Sequence, residues 1–196
     1  GAQTTIRGPE IRDFVAGDRT NNVLPSESAG QVTKAQLDRP IDIADPGLRF
    51  TLAAALNIPV TRSFDGQPRL ARAILASELA SIIHLDASNR AIVDISGLEN
   101  AINLRSLNLA NNQITNISAL EKRTSTRAED AGAPLGLRNL EFASLDSNRI
   151  SSLEAVRLLD RLVALSTDYN IVTTLEPLAD LSKLAHLSAD ETLVRG

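Results

Sequence analysis

One spacing governs the second half of the chain. The segment SLNLANNQITNISAL carries Leu107, Leu109, Ile114, Ile117 and Leu120, with Asn112 among them. A step back of 22 residues lands on Leu85, Ala87, Arg90, Ile92, Ile95 and Leu98. A step forward of 36 lands on Ala143, Leu145, Asn148, Ile150, Leu153 and Val156. Another 22 reaches Leu165, Thr167, Asn170, Val172, Leu175 and Leu178, and 22 more reaches Leu187, Ala189, Thr192 and Val194. A further apolar residue stands three before each unit: Ile82, Leu104, Leu140, Leu162 and Leu184. The shared pattern is LxxLxLxxNxIxxIxxL, in five units with a single insertion of 14 residues. Self-similarity at such a period means a solenoid, in which each unit buries its apolar face against the next.

The spacing has a physical reading. In LxL two alternate residues point inward from a short strand, because strand side chains alternate between faces. The chain then turns at Asn. A buried turn leaves backbone N–H and C=O groups without ladder partners, and an asparagine amide offers both a donor and an acceptor. Asn112, Asn148 and Asn170 are therefore read as a structural ladder between neighbouring turns. Arg90 and Thr192 take that position in the first and last units, where repeats are often atypical.

From about Leu79 to Val194, and most specifically in LNLANNQITNISAL, this pattern resembles the leucine-rich-repeat family in the short form of bacterial internalin-like surface proteins. The resemblance implies an α/β repeat fold. It is a right-handed solenoid with short parallel strands on its concave face and a helical cap at its N-terminal end. It also implies a bacterial protein that is secreted or displayed at the cell surface.

The flanks divide the chain into three parts. Residues 1–40 carry scattered Gly, Pro, Ser and Asn with few apolar anchors, and read as an extended arm or linker, with a helical turn at Thr33–Leu37. Residues 41–80 read as the helical cap. Asp45 is a suitable N-cap, Pro46 suits the first helical position, and Leu48, Leu52 and Leu56 share one face until Asn57 and Pro59 end the helix. A second helix is expected from about Pro68 to Ala80, with Leu70, Ile74 and Leu75 inward. Arg62, Arg69 and Arg72 make the cap locally basic and read as a solvated face.

Residues 81–196 hold the repeats, with a polar insertion near residues 121–134 on the convex side or an edge. The last unit is incomplete, so its apolar end is expected to be covered by further repeats or by a partner. At the other end, Ala2-Gln3-Thr4 fits either a mature start left by signal peptidase or an arbitrary boundary.

Composition narrows the function. The chain has no Cys, which rules out disulfides, thiolate metal sites and a cysteine nucleophile. Its net charge of −4 gives no case for nucleic acid, and no apolar run approaches the ~20 residues of a membrane span. There is no Gly-rich phosphate loop, no HExxH and no G-x-S-x-G. His84 and His186 fall four repeats apart, about 20 Å, and cannot share one small site. No enzyme activity, cofactor or metal is expected.

The residues flanking each inward LxL pair face the concave side in three columns. The first is His84, Ser106, Phe142, Ala164 and His186; the second is Asp86, Asn108, Ser144, Ser166 and Ser188; the third is Ser88, Ala110, Asp146, Asp168 and Asp190. Stacked carboxylates ~4.8 Å apart repel by under ~1 kcal/mol per pair in water. That small, repeated cost makes Asp146, Asp168 and Asp190, with Phe142, Ser144, Ser166 and Ser188, the candidates for contact with a protein partner, one of basic character. A soluble face inherited by duplication is the simpler explanation of the column. Calcium is a lesser alternative, since no D-x-D-x-D-G loop is present.

The projected concave patch of about 200 Å² falls well short of the ~800 Å² per partner of a standard interface. A partner must therefore also touch the insertion, the cap or the arm, unless further repeats complete the surface. The reading is a non-catalytic interaction module on the cell surface or in an extracellular assembly. The alternatives are a structural spacer, a cytosolic repeat adaptor, and the targeting domain of an enzyme.

Overall fold

Asp45-Pro46 opens a helix in the structure, a computed structural model that describes residues 38–126 and 131–191. The expected arm up to Leu37, part of the insertion, and Thr192 and Val194 of the last unit lie outside the described residues. Strand β1 (Pro40–Ile41) leads into helix α1 (Pro46–Ala55). The Leu48 N–H donates to Asp45 Oδ1 at 3.0 Å, satisfying one of the orphan donors of the first turn. Leu48, Leu52 and Ala53 are buried, and the chain leaves the helix through Asn57 at φ +54.

The second helix expected from Pro68 to Ala80 is not there. Strand β2 (Val60–Arg62) pairs antiparallel with β3 (Pro68–Leu70), β4 (Ile74–Leu75) pairs antiparallel with β1, and only one turn, α2 (Ala76–Leu79), is helical. The reason lies in the turn chemistry of Asp65-Gly66. Gly66 sits at φ +79, the Ser63 N–H donates to the Gln67 carbonyl at 2.9 Å, and Asp65 accepts from the Gln67 N–H at 3.1 Å and from the Ser63 hydroxyl. A hairpin closed in this way offers Pro68–Leu70 a partner strand, whereas a short isolated helix beginning there is marginal. Of the residues placed inward, Ile74 is buried and Leu70 packs partly buried against the core.

The repeats follow as three-residue strands. They are β5 (His84–Asp86) and β6 (Ser106–Asn108), then, past a short ribbon of β7 (Arg123–Thr124) and β8 (Pro134–Leu135), β9 (Phe142–Ser144), β10 (Ala164–Ser166) and β11 (His186–Ser188). Strands β5, β6, β9, β10 and β11 form one parallel sheet in that order. Its register aligns Leu85, Leu107, Ala143, Leu165 and Leu187 in one row. On the return side the chain passes through 3-10 turns at Leu98–Asn100, Ser118–Leu120, Glu154–Val156 and Glu176–Leu178. Between the two sides lies a continuous core that includes Leu104, Leu109, Ile114, Leu140, Leu145, Ile150 and Leu162, all fully buried. Each such side chain removed from water is worth roughly 1.5–3 kcal/mol.

The insertion preserves this register because it leaves and returns at one point. Strands β7 and β8 pair antiparallel, the Leu137 N–H donates to the Leu120 carbonyl at 3.0 Å, and the Gly136 N–H donates to the Glu99 carbonyl at 2.8 Å. Glu99 belongs to a return-side turn, so the ribbon is rooted on the convex face. Gly136 is required there. Its φ is +82, and a Cβ would come within 1.7 Å of the Glu121 carbonyl oxygen.

The asparagines bind turn to turn. Asn112 Oδ1 accepts from the Arg90 and Ile92 N–H groups, both at 3.0 Å, while Nδ2 donates to the carbonyls of Ala87 (2.9 Å) and Leu109 (2.8 Å). Asn148 accepts from Ile114 N–H at 3.0 Å and donates to Leu109 and Leu145, both at 2.9 Å. Asn170 does the same with Ile150 N–H, Leu145 and Thr167, all at 3.0 Å. The residue before each ladder position is left-handed: Asn89, Asn111, Ser147, Tyr169 and Glu191 have φ between 51 and 57.

Candidate interaction surface on the concave sheet

Three-residue strands leave one inward residue and two outward ones, so the sheet presents its flanking residues to solvent by construction. In register, the first column places His84, Ser106, Phe142, Ala164 and His186 side by side. Phe142 is 47% exposed, although a phenyl ring gains from burial. A shallow trough of about 370 Å³ runs over these strands, lined by Ser106, Phe142, Ala164, Leu165 and His186 among others. Both histidines are exposed, at opposite ends of the sheet.

The acidic column has internal partners. Asp146 Oδ1 accepts from the Ser166 hydroxyl (2.5 Å) and the Asp168 N–H (2.8 Å), and Oδ2 accepts from the Ser144 hydroxyl (2.9 Å). One repeat on, Asp168 accepts from the Ser188 hydroxyl at 2.8 Å and from the Asp190 N–H at 2.7 Å. The recurring Ser-x-Asp thus forms a second ladder, on the outer surface of the sheet, with the Asp146 and Asp168 carboxylates receiving donors from the following repeat. Hydrogen bonds to an ionised acceptor are worth more than neutral ones, so they offset the repulsion of stacked carboxylates. The triplets at residues 144–146, 166–168 and 188–190 carry the signal for this in the sequence; what they do not reveal is which repeat supplies the donors. In the first repeat Asp86 turns back on itself. The Ser88 hydroxyl (2.7 Å) and N–H (3.0 Å) bind it and hold its carboxyl below the usual range.

Asp45 joins cap and repeats. Besides capping α1, its Oδ2 accepts from the Val93 N–H at 2.9 Å and the Asp94 N–H at 3.2 Å in the first repeat. Burial alone would push this carboxyl up, but N–H donors from Val93, Leu48, Asp94 and Gly47 outweigh burial and hold it below its ordinary value. The cap also bounds a cleft of about 560 Å³ between β1 and the hairpin, where Arg49, Arg69 and Arg72 stand near Asp42 and Asp65. Arg72 is tied to Glu78 by two hydrogen bonds of 2.8 and 2.5 Å.

Among the described residues no group of three or more His, Asp or Glu could hold a metal ion, and no helix is long and apolar enough to cross a membrane.

Residues 81–122 match the family model for leucine-rich repeats, in two copies. No curated protein matches the chain. Among solved structures, an internalin (InlF) from Listeria monocytogenes is similar, with a TM-score of 0.51 and 26% identity over 84% of this chain and 49% of that one. Internalin C2 from the same organism is 29% identical over 78% of this chain and 76% of that one, with a TM-score of 0.34. The chain spans about half the length of the InlF structure. Parallel three-residue strands, the family match and the likeness to InlF define a leucine-rich-repeat solenoid. Within that class its repeats are similar to those of the internalin InlF.

Proposed function

We propose that this chain is a non-catalytic protein-interaction module that engages a partner through its concave sheet, extended by the insertion or the N-terminal arm. The observation that carries the reading is Phe142, an exposed phenyl ring over a largely apolar trough at the middle strand of the sheet. A ring held in water on a rigid sheet is the kind of anchor that dominates interface energetics. Asp146 and Asp168, in the third column, already hold donors from their neighbours, so they shape the face for a partner, basic or not.

Two further parts belong to this proposal. Leu187 is 44% exposed, while Leu165 in the same row is 2% exposed, which supports a β11 edge covered by another repeat or by a partner. Likeness to internalins supports display outside the cell; a signal segment encoded ahead of Ala2 tests it. The competing reading is a spacer that binds nothing on this face. Capture of cell-surface proteins by the whole chain and by a Phe142→Asp variant decides between them. Capture falling by tenfold or more supports the concave surface, and unchanged capture supports the spacer.

A further inference from the structure

Each return-side turn follows a short polar residue that accepts from the N–H two positions on. The Ser96 N–H donates to Asp94 Oδ1 at 2.9 Å, the Glu154 N–H to the Ser152 hydroxyl at 3.3 Å, and the Glu176 N–H to the Thr174 hydroxyl at 3.1 Å. In the second repeat Asn116 holds that place, and the Ser118 N–H donates to its Oδ1 at 2.8 Å. For this turn an acid or a hydroxyl serves as well as an amide. Only the amide brings a nitrogen besides. Asn116 is exposed, and its Nδ2 bonds to no other group among the described residues.

The sequence around it adds a second observation. Asn116-Ile117-Ser118 is the one N-x-S/T triplet in the chain, the acceptor pattern for N-linked sugar. Ile117 is buried in the core, which fixes the backbone, while Ser118 is exposed. A hollow of about 370 Å³ lies beside Asn116, lined also by Ser118, Glu121, Ser152, Glu154 and Leu158. Leu158 is 56% exposed. Polar groups beside an apolar wall suit a sugar ring, which has hydroxyls to pair and a C–H face to cover.

We infer that Asn116 is an N-glycosylation acceptor, modified by a transferase that uses a glycosyl diphosphate, nucleotide- or lipid-linked. In the step, Nδ2 bonds to the anomeric carbon of the sugar. The bond from that carbon to the diphosphate oxygen breaks, and its electron pair leaves on the diphosphate. Nδ2 gives up one proton to a base of the transferase. Oδ1 takes no part and goes on accepting from the Ser118 N–H, so the turn survives the modification. The sugar stands on the return side and leaves the concave sheet free. The inference is independent of the concave reading.

The full chain tests it in two arms. In one, the purified folded chain meets a soluble nucleotide-sugar N-glycosyltransferase with UDP-glucose. In the other, the chain is secreted through a cell whose membrane transferase uses lipid-linked oligosaccharide. Intact mass and peptide mapping should find the sugar at Asn116 in at least one arm, and that arm names the donor. Asn116→Gln and Ser118→Ala should each lose it completely, and Ser118→Thr should keep it. Ser118→Ala retains the N–H that bonds to Asn116 Oδ1, so it removes the hydroxyl and spares the turn; circular dichroism reports that each variant folds. Bare Asn116 in both arms, or a sugar that persists on Asn116 in Ser118→Ala, overturns the inference.

Discussion

Asp45 offers the sharpest test of how the cap is fastened. The N–H groups of Leu48 at 3.0 Å, Val93 at 2.9 Å and Asp94 at 3.2 Å donate to its carboxylate. The first is a helix cap, worth about 1 kcal/mol. The other two reach the first repeat, 48 and 49 residues away. Hydrogen bonds to a charged acceptor contribute ~1.5–3 kcal/mol when buried. Val93 and Asp94 are exposed, so water can replace the carboxylate there and about 1 kcal/mol each is the fitting figure. Asp45→Ala should thus lose about 3 kcal/mol, and Asp45→Ser, which keeps the cap, about 2 kcal/mol. Asp45→Asn keeps the cap too but turns an NH₂ toward two N–H donors, and should cost at least as much as Ser.

Urea unfolding followed by circular dichroism measures these differences, and amide exchange at Val93 and Asp94 reports the fastening directly. If Asp45→Ser unfolds within about 0.5 kcal/mol of the parent, Asp45 is a helix cap and nothing more. Acid provides an independent check. The folded carboxyl is held below its ordinary value, so its contribution is present above the unfolded pKa of about 3.9 and is lost as pH falls through the folded value. The parent and Asp45→Ser should therefore converge in stability below about pH 4 and stay apart at neutral pH.

Other expectations follow from the two ladders and the strained column. Asn148→Ala removes a buried amide that serves Ile114 N–H and the carbonyls of Leu109 and Leu145, and should lower stability by about 3 kcal/mol or more in urea titration, since buried backbone groups are left unpaired. Asp146→Ala should lower stability by about 1–2 kcal/mol through the lost bonds to Ser166 and Asp168; an unchanged unfolding midpoint would show that the acidic ladder adds nothing to the fold. Tyr169, exposed and at φ +55, occupies a backbone conformation that Asn and Gly tolerate better. Tyr169→Asn should raise the unfolding free energy by about 0.5–1 kcal/mol, read as a higher melting temperature.

The periodic part of the fold is legible before any coordinates. Rows such as Leu107, Ala143 and Leu165 follow from counting, because a strand side chain's face depends only on its position in the coil. Asn112, Asn148 and Asn170 are legible for a similar reason: a buried turn needs an amide, and the same turn recurs. The cap is legible only in part. Asp45-Pro46 marks the start of α1, but the segment after Pro68 has apolar spacing compatible with a helix, and the Asp65-Gly66 hairpin and its partner strand outcompete that local preference.

The sequence by itself determined the coil, its phase and the residues on each face, since these depend on spacing along the chain. Only the tertiary structure decided who bonds to whom across turns: Asp146 with Ser166, Asp168 with Ser188, Asp45 with Val93. Such pairs are 20 to 48 residues apart. A carboxylate's donors are set by what stacking brings within about 3 Å, and spacing alone does not say which neighbouring turn that will be.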